Sequence, residues 1–507
     1  MKHCTICFTS DTHGHLLGSQ YAKNTHAATG VLYCASAFPK DGNTLVLDGG
    51  DSLQGSPLIQ YYMHRRSPFA LHPVAETFNA AGYDAVTLGN HDFNYGYDAL
   101  EEYLRALDAV CVCANVTDKK GRLPLHRYVV RTLENGLRVG ITGIVTGHVN
   151  VWEAPENLAF LTVSDPLPAA RQVLAEMQGQ CDLTVCLYHG GFERELSTGE
   201  LLEDTGENIG WQLCQELGFD LLLTAHQHMP VPGQWLHSTY TLQCAANAAH
   251  FARITACREE SAWQVQAQFV DPAPSLNPAA QAAAQALAPL EEKVQAWLDE
   301  PAGSLQEAIL PLSKLELACQ GSRLADLFNQ VQLDWTGADF SCAALANDLV
   351  GLGPQVSMRD VLAAYPFPNT LVVLEVTPQD LREALERCAA YYTLEDGRPR
   401  ISDCFLKPKV EHYNFEFLAG LEAVFDLRRP VGQRVVALNR DGTPLPDGTY
   451  TICMNNYRAT GTGGYGVFRR CPVRHQYPQE MQELLADYIQ RHSPVAISLQ
   501  PPYRLLY

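Results

Sequence analysis

Five short apolar runs in the first half of the chain, each ending in polar residues, constrain the fold more than any other feature. They read CTICFTSDTHG (4–14), NTLVLDGGD (43–51), YDAVTLGNHD (83–92), CDLTVCLYHGG (181–191) and FDLLLTAHQH (219–228). Each run is too short for a typical helix, is rich in Val, Leu, Ile and Thr, and is bounded by Gly, Asp or Asn, which predicts buried strands. Segments with helical spacing lie at 97–110 and 166–178. This strand–helix alternation predicts a layered α/β domain.

A Pro-flanked segment rich in Ala, Gln and Glu separates this domain from the rest of the chain. It covers residues 271–303, and its composition predicts a linker helix over 278–299. The remainder predicts a smaller α+β domain, with a helix that begins after Thr377 and a strand in TYTICMNNY (449–457). We therefore expect domains at 1–270 and 304–507, joined by the linker at 271–303.

The charge balance restricts the partners that the protein can bind. The 507-residue chain has a formal net charge of −20. Because such a chain repels polyphosphate, we expect no non-specific binding to long DNA or RNA. A small anionic partner remains compatible if a local cation, most simply a bound metal ion, reverses the field.

The sequence shows no membrane or export signal. No run of 18 uninterrupted apolar residues occurs, so no membrane-spanning helix is expected. The N-terminus lacks a basic region followed by an apolar stretch and a cleavage site. The sixteen cysteines are scattered, and Cys4 and Cys7 would face opposite sides of a strand. We expect reduced cysteines and a cytoplasmic location, with a processed form that has lost its leader as the alternative.

Metal-ligand side chains stand at the ends of all five predicted strands. They are Asp11 and His13; Asp51; Asn90, His91 and Asp92; His189; and His226, Gln227 and His228. One such residue alone is usually a cap, but ligand sites of α/β sheets form beyond the carboxyl ends of strands, where these five groups would meet. About seven oxygen and nitrogen ligands without thiolates suit two Zn²⁺, Mn²⁺ or similar ions better than a closed structural zinc site.

The same segments resemble a known family. The motifs D-x-H-G (11–14), G-D-S-x-x-G (50–55), G-N-H-D (89–92), H-G-G (189–191) and A-H-Q-H (225–228) are similar to the blocks of calcineurin-like dinuclear metallophosphoesterases. Ala225 stands where that family usually has glycine. The second domain resembles that of 5′-nucleotidases and 2′,3′-cyclic-nucleotide phosphodiesterases. The resemblance implies an α/β-β-α sandwich followed by a substrate-binding domain, with a nucleotide bound between them and brought to the metals by interdomain rotation.

The resemblance also implies two ligand sets. Asp11, His13, Asp51 and His228 would hold one metal ion, and Asp51, Asn90, His189 and His226 the other. His91 would contact the phosphoryl group and stabilise its developing charge. Two cations about 3.5–4 Å apart can hold a hydroxide for in-line attack at phosphorus. Asp92 is expected to be structural, and Gln227 to face away, with metal contact as its alternative.

Asn94 departs from many 5′-nucleotidases, which read G-N-H-E-F-D. The final aspartate of that motif orients and charges the catalytic histidine. The resemblance therefore assigns Asn94 to act with His91. An amide accepts a hydrogen bond, but it cannot stabilise a protonated imidazole as a carboxylate would.

Two tyrosines of the second domain match a pair of aromatic residues that clamp the base in the related nucleotidases. They are Tyr413 and Tyr457, with Phe415 as the competitor for the first position. Stacking on an aromatic ring tolerates different bases. The alternative is that these tyrosines are ordinary core residues. GTGGYG (461–466) fits G-x-G-x-x-G but opens no βαβ unit, so we reject dinucleotide binding there and expect a close backbone approach or a plain turn.

The segment N-D-L-V-G-L-G (347–353) bears on the substrate. Typical 5′-nucleotidases have N-x-G-G-x-R there, with an arginine that contacts the phosphate. Its absence resembles the cyclic-phosphodiesterase/3′-nucleotidase branch, whose cyclic substrate has one negative charge. Asn347 and Arg458 are candidates for a phosphate or ribose contact. The alternative for Arg458 is an exposed side chain without a specific role.

These observations predict a two-metal phosphoester hydrolase that acts on 2′,3′-cyclic nucleotides and then on 3′-nucleotides. The rival enzyme is a 5′-nucleotidase or nucleotide-sugar hydrolase. A rival of another class is a catalytically silent nucleotide-binding protein, but such a protein would have lost a ligand or His91, and this sequence retains all of them.

Overall fold

The computed structural model describes residues 2–66, 69–202, 205–259, 262–348, 350–367, 369–407, 409–501 and 503–507, with Pro478 described by its backbone only. These residues form two compact units, Met1–Val294 and Gln295–Tyr507. The boundary lies inside the helix Pro278–Leu298, which was predicted as the linker helix. Each unit is described separately.

Two mixed sheets form the N-terminal unit. The seven-stranded sheet has the spatial order Ala262–Val270, Phe251–Glu259, His3–Thr9, Thr44–Asp48, Ala85–Val86, Val110–Val112 and Leu125–His126. The six-stranded sheet has the order Val231–Leu236, Thr239–Gln243, Leu221–Thr224, Leu183–His189, Arg138–Val145 and Tyr128–Thr132. All five apolar runs are strands, as predicted, with three in the first sheet and two in the second.

The two sheets pack face to face. One buried cluster joins Ile6 and Phe8 of the first sheet to Val185 and Leu223 of the second. A separate cluster covers the outer face of the second sheet, where Val173 of a helix packs among strand residues. This arrangement confirms the layered α/β-β-α fold. The helices of this unit are Val31–Ala35, Pro57–His64, Pro73–Ala81, Gly96–Ala106, Val149–Trp152, Pro166–Met177 and Gly210–Glu216.

Parallel pairing sets the direction of the strands that end in polar residues. His3–Thr9 pairs in parallel with Thr44–Asp48, which pairs in parallel with Ala85–Val86. In the second sheet, Leu183–His189 pairs in parallel with Leu221–Thr224. Strands that pair in parallel end at the same edge of a sheet, so each sheet brings its polar strand ends together.

A five-stranded sheet is the centre of the C-terminal unit. Its order is Glu416–Ala419, Phe340–Ala344, Tyr450–Asn455, Thr370–Val376 and Val473–Glu480. A second sheet has the order Thr443–Pro444, Val435–Arg440, Glu422–Asp426 and Arg504–Leu506. The helices are Lys314–Gln320, Arg323–Thr336, Met358–Ala364, Pro378–Ala389, Asn456–Ala459, Gly466–Arg469 and Met481–Arg491.

The predicted helix start at Thr377 is observed. The Thr377 hydroxyl accepts a hydrogen bond from the Asp380 backbone, and the Asp380 carboxylate accepts one from the Thr377 backbone at 2.9 Å. This reciprocal cap satisfies two backbone donors at the helix terminus. Pro378 occupies the first helical position, where a missing N–H costs nothing.

The described residues contain no helix that is both long enough and apolar enough to span a membrane. All sixteen cysteines are free. Cys4 and Cys7 are both buried in the first strand, and burial raises the pKa of each thiol to about 12. Neither thiol is therefore a reactive thiolate at neutral pH.

Candidate metal centre

The polar ends of the strands meet in the N-terminal unit. Single ligand atoms of Asp11, His13, Asp51 and His228 lie within 4.8 Å of one another, and Asp51, His189 and His226 form a second group of this kind. Asp51 belongs to both groups. His189 Nε2 also lies 3.1 Å from Asn90 Oδ1, which places the Asn90 amide beside the second group. The structure thus brings together all seven residues of the two implied ligand sets.

Five of these seven residues have left-handed backbone conformations. Their φ angles are 51° at Asp11, 48° at His13, 62° at Asp51, 75° at His226 and 58° at His228. A residue with a side chain adopts this conformation at a cost of order 1–3 kcal/mol, so the surrounding structure must impose it. Such strain clusters at functional sites, and here it falls on the residues that face the centre.

Small residues allow the ligand loops to approach one another. Gly89 precedes Asn90, and a Cβ atom at this position would overlap Asp51 Oδ1 and His189 Cε1. The first glycine of G-N-H-D is therefore required by the space that the ligands occupy. Gly50 has a φ of 90°, and a Cβ atom there would overlap the backbone of Leu88 and Gly89.

Hydrogen bonds fix the ring nitrogens that remain for a metal. His13 Nδ1 donates to Gln54 O at 2.8 Å, and His189 Nδ1 donates to Gly49 O at 2.7 Å. Because a carbonyl oxygen only accepts, Nδ1 carries the hydrogen in both rings and the Nε2 lone pair is left for a cation. His226 is oriented the other way, since its Nε2 donates to Glu207 Oε1 at 2.9 Å. Glu207 was not predicted from the sequence.

One oxygen of each buried aspartate accepts a hydrogen bond from the backbone. Asp11 Oδ1 accepts from the His226 backbone at 2.9 Å, and Asp51 Oδ1 accepts from the His91 backbone at 2.7 Å. Asp11 Oδ2 is buried without a hydrogen-bond partner among the described atoms, and Asp51 Oδ2 faces His189 Nε2 at 3.2 Å. A buried carboxylate oxygen without a partner is costly, and a divalent cation would satisfy it. The donor set therefore fits divalent metal ions.

The charges of the centre favour cation binding. Burial lowers the pKa of His13, which keeps this imidazole neutral and able to bind a metal. Burial acts to raise the pKa of Asp51, but the neighbouring imidazoles of His189, His91 and His13 outweigh it and hold the pKa well below its usual range. Burial acts to lower the pKa of His189, but the Asp51 carboxylate outweighs it and raises the pKa to about 10. A proton on His189 and a metal ion therefore compete for Asp51 and His189.

Asp92 has a structural role, as expected. Its two oxygens accept from the backbone N–H groups of Gly89, Asp51, Ser52 and Leu53, at 2.8 to 3.0 Å. It thereby ties the loop of Asp51 to the loop of Asn90. Gln227 is bonded to Phe192, whose backbone N–H donates to the Gln227 side chain at 3.1 Å.

His91 stands beside the ligand groups without belonging to either. Its ring centroid lies 5.6 Å from that of His13. Its Nδ1 atom is 2.7 Å from Asn94 Oδ1. The structure therefore places the catalytic candidate and its predicted partner in direct contact.

Comparison with known proteins adds two family matches. Residues 4–230 match the calcineurin-like phosphoesterase family, and residues 302–470 match the C-terminal domain of 5′-nucleotidases. This chain is a calcineurin-like metallophosphoesterase with a 5′-nucleotidase C-terminal domain. Its relatives and its fold are those of phosphoester hydrolases, so the protein is an enzyme of this class.

Several relatives cover nearly the whole chain of this metallophosphoesterase. The trifunctional nucleotide phosphoesterase protein YfkN of Bacillus subtilis is 23% identical over 96% of the chain, which spans 38% of the length of YfkN. The 2′,3′-cyclic-nucleotide 2′-phosphodiesterase/3′-nucleotidase of Salmonella typhimurium is 23% identical over 98% of the chain and 87% of its own length. A Staphylococcus aureus protein, solved in complex with alpha-ketoglutarate, is 28% identical with a TM-score of 0.89 over 100% of both chains.

In the C-terminal domain of this metallophosphoesterase, the structure separates the aromatic candidates. Phe415 is only 2% exposed, and its ring centroid lies 4.7 Å from that of Tyr391 and 5.0 Å from that of Phe417. Phe415 is therefore a core residue. Tyr413 and Tyr457 are each half-buried, so neither is a fully buried core residue.

The alternative for Arg458, an exposed side chain without a specific role, is wrong. The side chain is 1% exposed and forms an ion pair with Glu416, so it is held inside the domain. It donates to Tyr413 O at 3.0 Å and to Asn414 Oδ1 at 3.1 Å. Arg458 thus fastens the segment of Tyr413 to the segment of Tyr457.

The glycine-rich loop closes over this arginine. Arg458 donates to Thr462 O, and a Cβ atom at Gly463 would overlap Asn414 Oδ1. Gly463 also has a φ of 75°. The glycine is therefore explained by close packing and backbone conformation.

Asn347 lies near a cation that sequence reasoning missed. Its amide donates to Val410 O at 2.8 Å, while its Oδ1 atom is buried and has no hydrogen-bond partner within the part of the chain that the structure describes. The Lys314 ammonium donates to Ala346 O, and burial lowers its pKa to about 8. Only the three-dimensional contact, across 32 residues of sequence, links Lys314 to this segment.

Proposed function

We propose that this hydrolase cleaves 2′,3′-cyclic nucleotides and then 3′-nucleotides with two divalent cations, such as Zn²⁺ or Mn²⁺. The observation that carries the proposal is the composition of 347–353, which has no arginine where typical 5′-nucleotidases have one. Three relatives named 2′,3′-cyclic-nucleotide 2′-phosphodiesterase/3′-nucleotidase support it, since each covers 98% of the chain.

The absence of an arginine from residues 347–353 suits a cyclic phosphodiester as substrate. A cyclic phosphate has one negative charge, whereas a phosphate monoester has about −1.5 to −2 at neutral pH. Lys314 supplies a cation beside Asn347 in place of the missing arginine. We assign both residues to contacts with the phosphate or ribose.

The metal centre supplies the reaction chemistry. Asp11, His13, Asp51 and His228 would hold one ion, and Asp51, Asn90, His189 and His226 the other. Bound divalent ions activate water and neutralise phosphoryl oxygens. His91 turns its Nδ1 atom to Asn94, which leaves Nε2 to contact the phosphoryl group where negative charge develops.

A comparison of substrates tests this proposal. With Mn²⁺ present, we expect kcat/KM to be highest for 2′,3′-cyclic AMP, lower for 3′-AMP, and at least about 10-fold lower for 5′-AMP and UDP-glucose. Chelator-treated enzyme is the control that assigns the activity to the metal centre. A preference for 5′-AMP or the nucleotide sugar would overturn the proposal, and failure to cleave even an activated phosphoester would favour a silent binding protein.

We assign base binding to Tyr413 and Tyr457, because Arg458 holds their two segments together and both residues are only half-buried. Stacking of a base on an aromatic ring contributes about 1–3 kcal/mol. Since stacking depends on the ring face alone, the enzyme should accept different bases.

Loss of one ring should weaken substrate binding. We expect Tyr457→Ala to raise KM for 2′,3′-cyclic AMP by about 5- to 100-fold with little change in kcat. Tyr457→Phe keeps the ring and should resemble the wild type. Steady-state kinetics with ribose 2′,3′-cyclic phosphate, which has no base, should show no difference among the three enzymes. An unchanged KM for 2′,3′-cyclic AMP in the alanine variant would rule out stacking at this position.

A further inference from the structure

A carboxylate stands behind the unusual asparagine of the catalytic segment. The Asn94 amide donates from Nδ2 to Glu153 Oε2 at 2.7 Å, while Asn94 Oδ1 faces His91 Nδ1 at 2.7 Å. Glu153 is 59 residues from Asn94 in sequence. The side chains of His91, Asn94 and Glu153 therefore form a continuous chain of hydrogen bonds.

The acceptor at the end of this chain determines its direction. An ionised carboxylate only accepts hydrogen bonds, so Glu153 must receive the NH₂ end of the Asn94 amide. The carbonyl end then points at His91, and it too only accepts. His91 must consequently carry its hydrogen on Nδ1, which leaves the other ring nitrogen directed away from Asn94.

Glu153 is itself held in place. Its Oε1 atom accepts from Asn157 Nδ2 and from the Ala154 backbone, both at 2.8 Å. Asn157 Nδ2 also donates to Asn94 O at 2.9 Å. The preceding residue, Trp152, stacks on the metal-ligand candidate His226 with ring centroids 5.4 Å apart. Residues 152–157 thus contact both Asn94, the partner of His91, and the metal-ligand candidate His226.

We propose that Glu153 is a positioning residue, which sets the orientation of the Asn94 amide and thereby the tautomer of His91. The inference rests on the proposed contact between His91 and the phosphoryl group. The amide–carboxylate pair of Asn94 and Glu153 takes over the orienting task that a single aspartate performs in many 5′-nucleotidases. In this chain the Glu153 carboxylate therefore acts on the His91 imidazole through one intervening side chain, that of Asn94.

Exchanging the two functional groups tests this assignment. In Asn94→Asp, two carboxylates would face each other at hydrogen-bond distance, and like charges in such contact repel. We expect kcat on 2′,3′-cyclic AMP to fall by at least about 10-fold in this variant, with little change in KM. In Asn94→Asp/Glu153→Gln, the glutamine amide can donate to the new carboxylate, which still accepts from His91. We expect kcat to recover to within about threefold of the wild type.

Glu153→Gln alone should lower kcat by about 3- to 10-fold, because glutamine can present either end of its amide and no longer imposes one orientation on Asn94. Glu156→Gln is the matched control, since Glu156 is exposed in the same segment. Metal content and thermal unfolding, measured for every variant, would show that each variant folds and binds metal. A double variant as slow as Asn94→Asp, or slower, would overturn the proposal, because a purely structural role gives additive losses.

A second readout follows the tautomer directly. In metal-loaded protein labelled with [¹⁵N]histidine, with His91→Asn to assign the signals, we expect His91 to be protonated on Nδ1. Glu153→Gln should give a mixture of tautomers, and an unchanged spectrum would contradict the positioning role. If His91→Asn kept wild-type kcat, the proposed contact of His91 itself would be wrong. If His91→Asn lost activity while the losses from Asn94→Asp and Glu153→Gln were additive in the double variant, only the role of Glu153 would be wrong.

Discussion

The Asp51→Asn variant is expected to lose at least about 10³-fold in kcat and to retain less than about one metal ion per chain. Asp51 belongs to both ligand groups, it is fully buried, and its Oδ2 atom lies 3.2 Å from Nε2 of the ligand candidate His189. A neutral amide would remove the negative charge that the two proposed cations would share. Metal ions contribute several kcal/mol to charge stabilisation in a transition state, and about 4 kcal/mol corresponds to about 10³-fold in rate. Elemental analysis and steady-state kinetics on the same preparation measure both effects.

A half-buried carboxylate beside the same sheet provides the control. Asp84 directly precedes the strand Ala85–Val86, and its carboxylate accepts from the Val46 backbone at 2.8 Å. Asp84→Asn should keep both metal ions and wild-type kcat. An Asp51→Asn enzyme with two bound ions and unchanged kcat would show that Asp51 does not bridge the site.

The His91→Asn variant is expected to lose about 10²- to 10³-fold in kcat while it keeps its metal ions. Removal of one group that stabilises developing charge has an effect of this size. His91 lies outside both ligand groups, and its side chain is bonded to Asn94. Kinetics and metal content therefore separate its role from that of the ligands.

His126→Asn is the control for this substitution, because His126 is exposed at the end of an edge strand. It should leave both kcat and metal content unchanged. Loss of metal from His91→Asn would mean that His91 is a ligand, and an unchanged kcat would mean that it does not act on the phosphoryl group.

The sequence was sufficient to predict the strands but not their division between sheets. The runs that end at Asp11, Asp51 and Asn90 belong to one sheet, and those that end at His189 and His226 belong to the other. A short apolar run is buried on both faces in either sheet, so its composition does not identify its neighbours. The family resemblance supplied the two-sheet architecture.

The helix predicted at 97–110 shows a similar limit. The observed helix is Gly96–Ala106, and the last predicted residue belongs to the strand Val110–Val112. Apolar residues at the end of the segment satisfy the periods of both a helix and a strand, and pairing with Ala85–Val86 decides for the strand. Tertiary contacts thus set the boundary.

The partners of the site residues were the least predictable part. Glu153 and Glu207 contact Asn94 and His226 from other segments, and neither lies in a recognisable motif. The burial of Arg458 could not be predicted, because its counter-ion, Glu416, is 42 residues away in sequence. Ligands follow from motifs at strand ends, whereas the groups that orient them depend on how distant loops pack.

The product time course from 2′,3′-cyclic AMP tests the proposed function most directly. Metal-loaded enzyme is incubated with this substrate, or separately with 5′-AMP, and the products are separated by chromatography. We predict that 2′,3′-cyclic AMP is converted to 3′-AMP, which accumulates and is then hydrolysed to adenosine. We expect 5′-AMP to be consumed at least about 10-fold more slowly. If 2′,3′-cyclic AMP remains intact while 5′-AMP is converted to adenosine, the proposed function is contradicted.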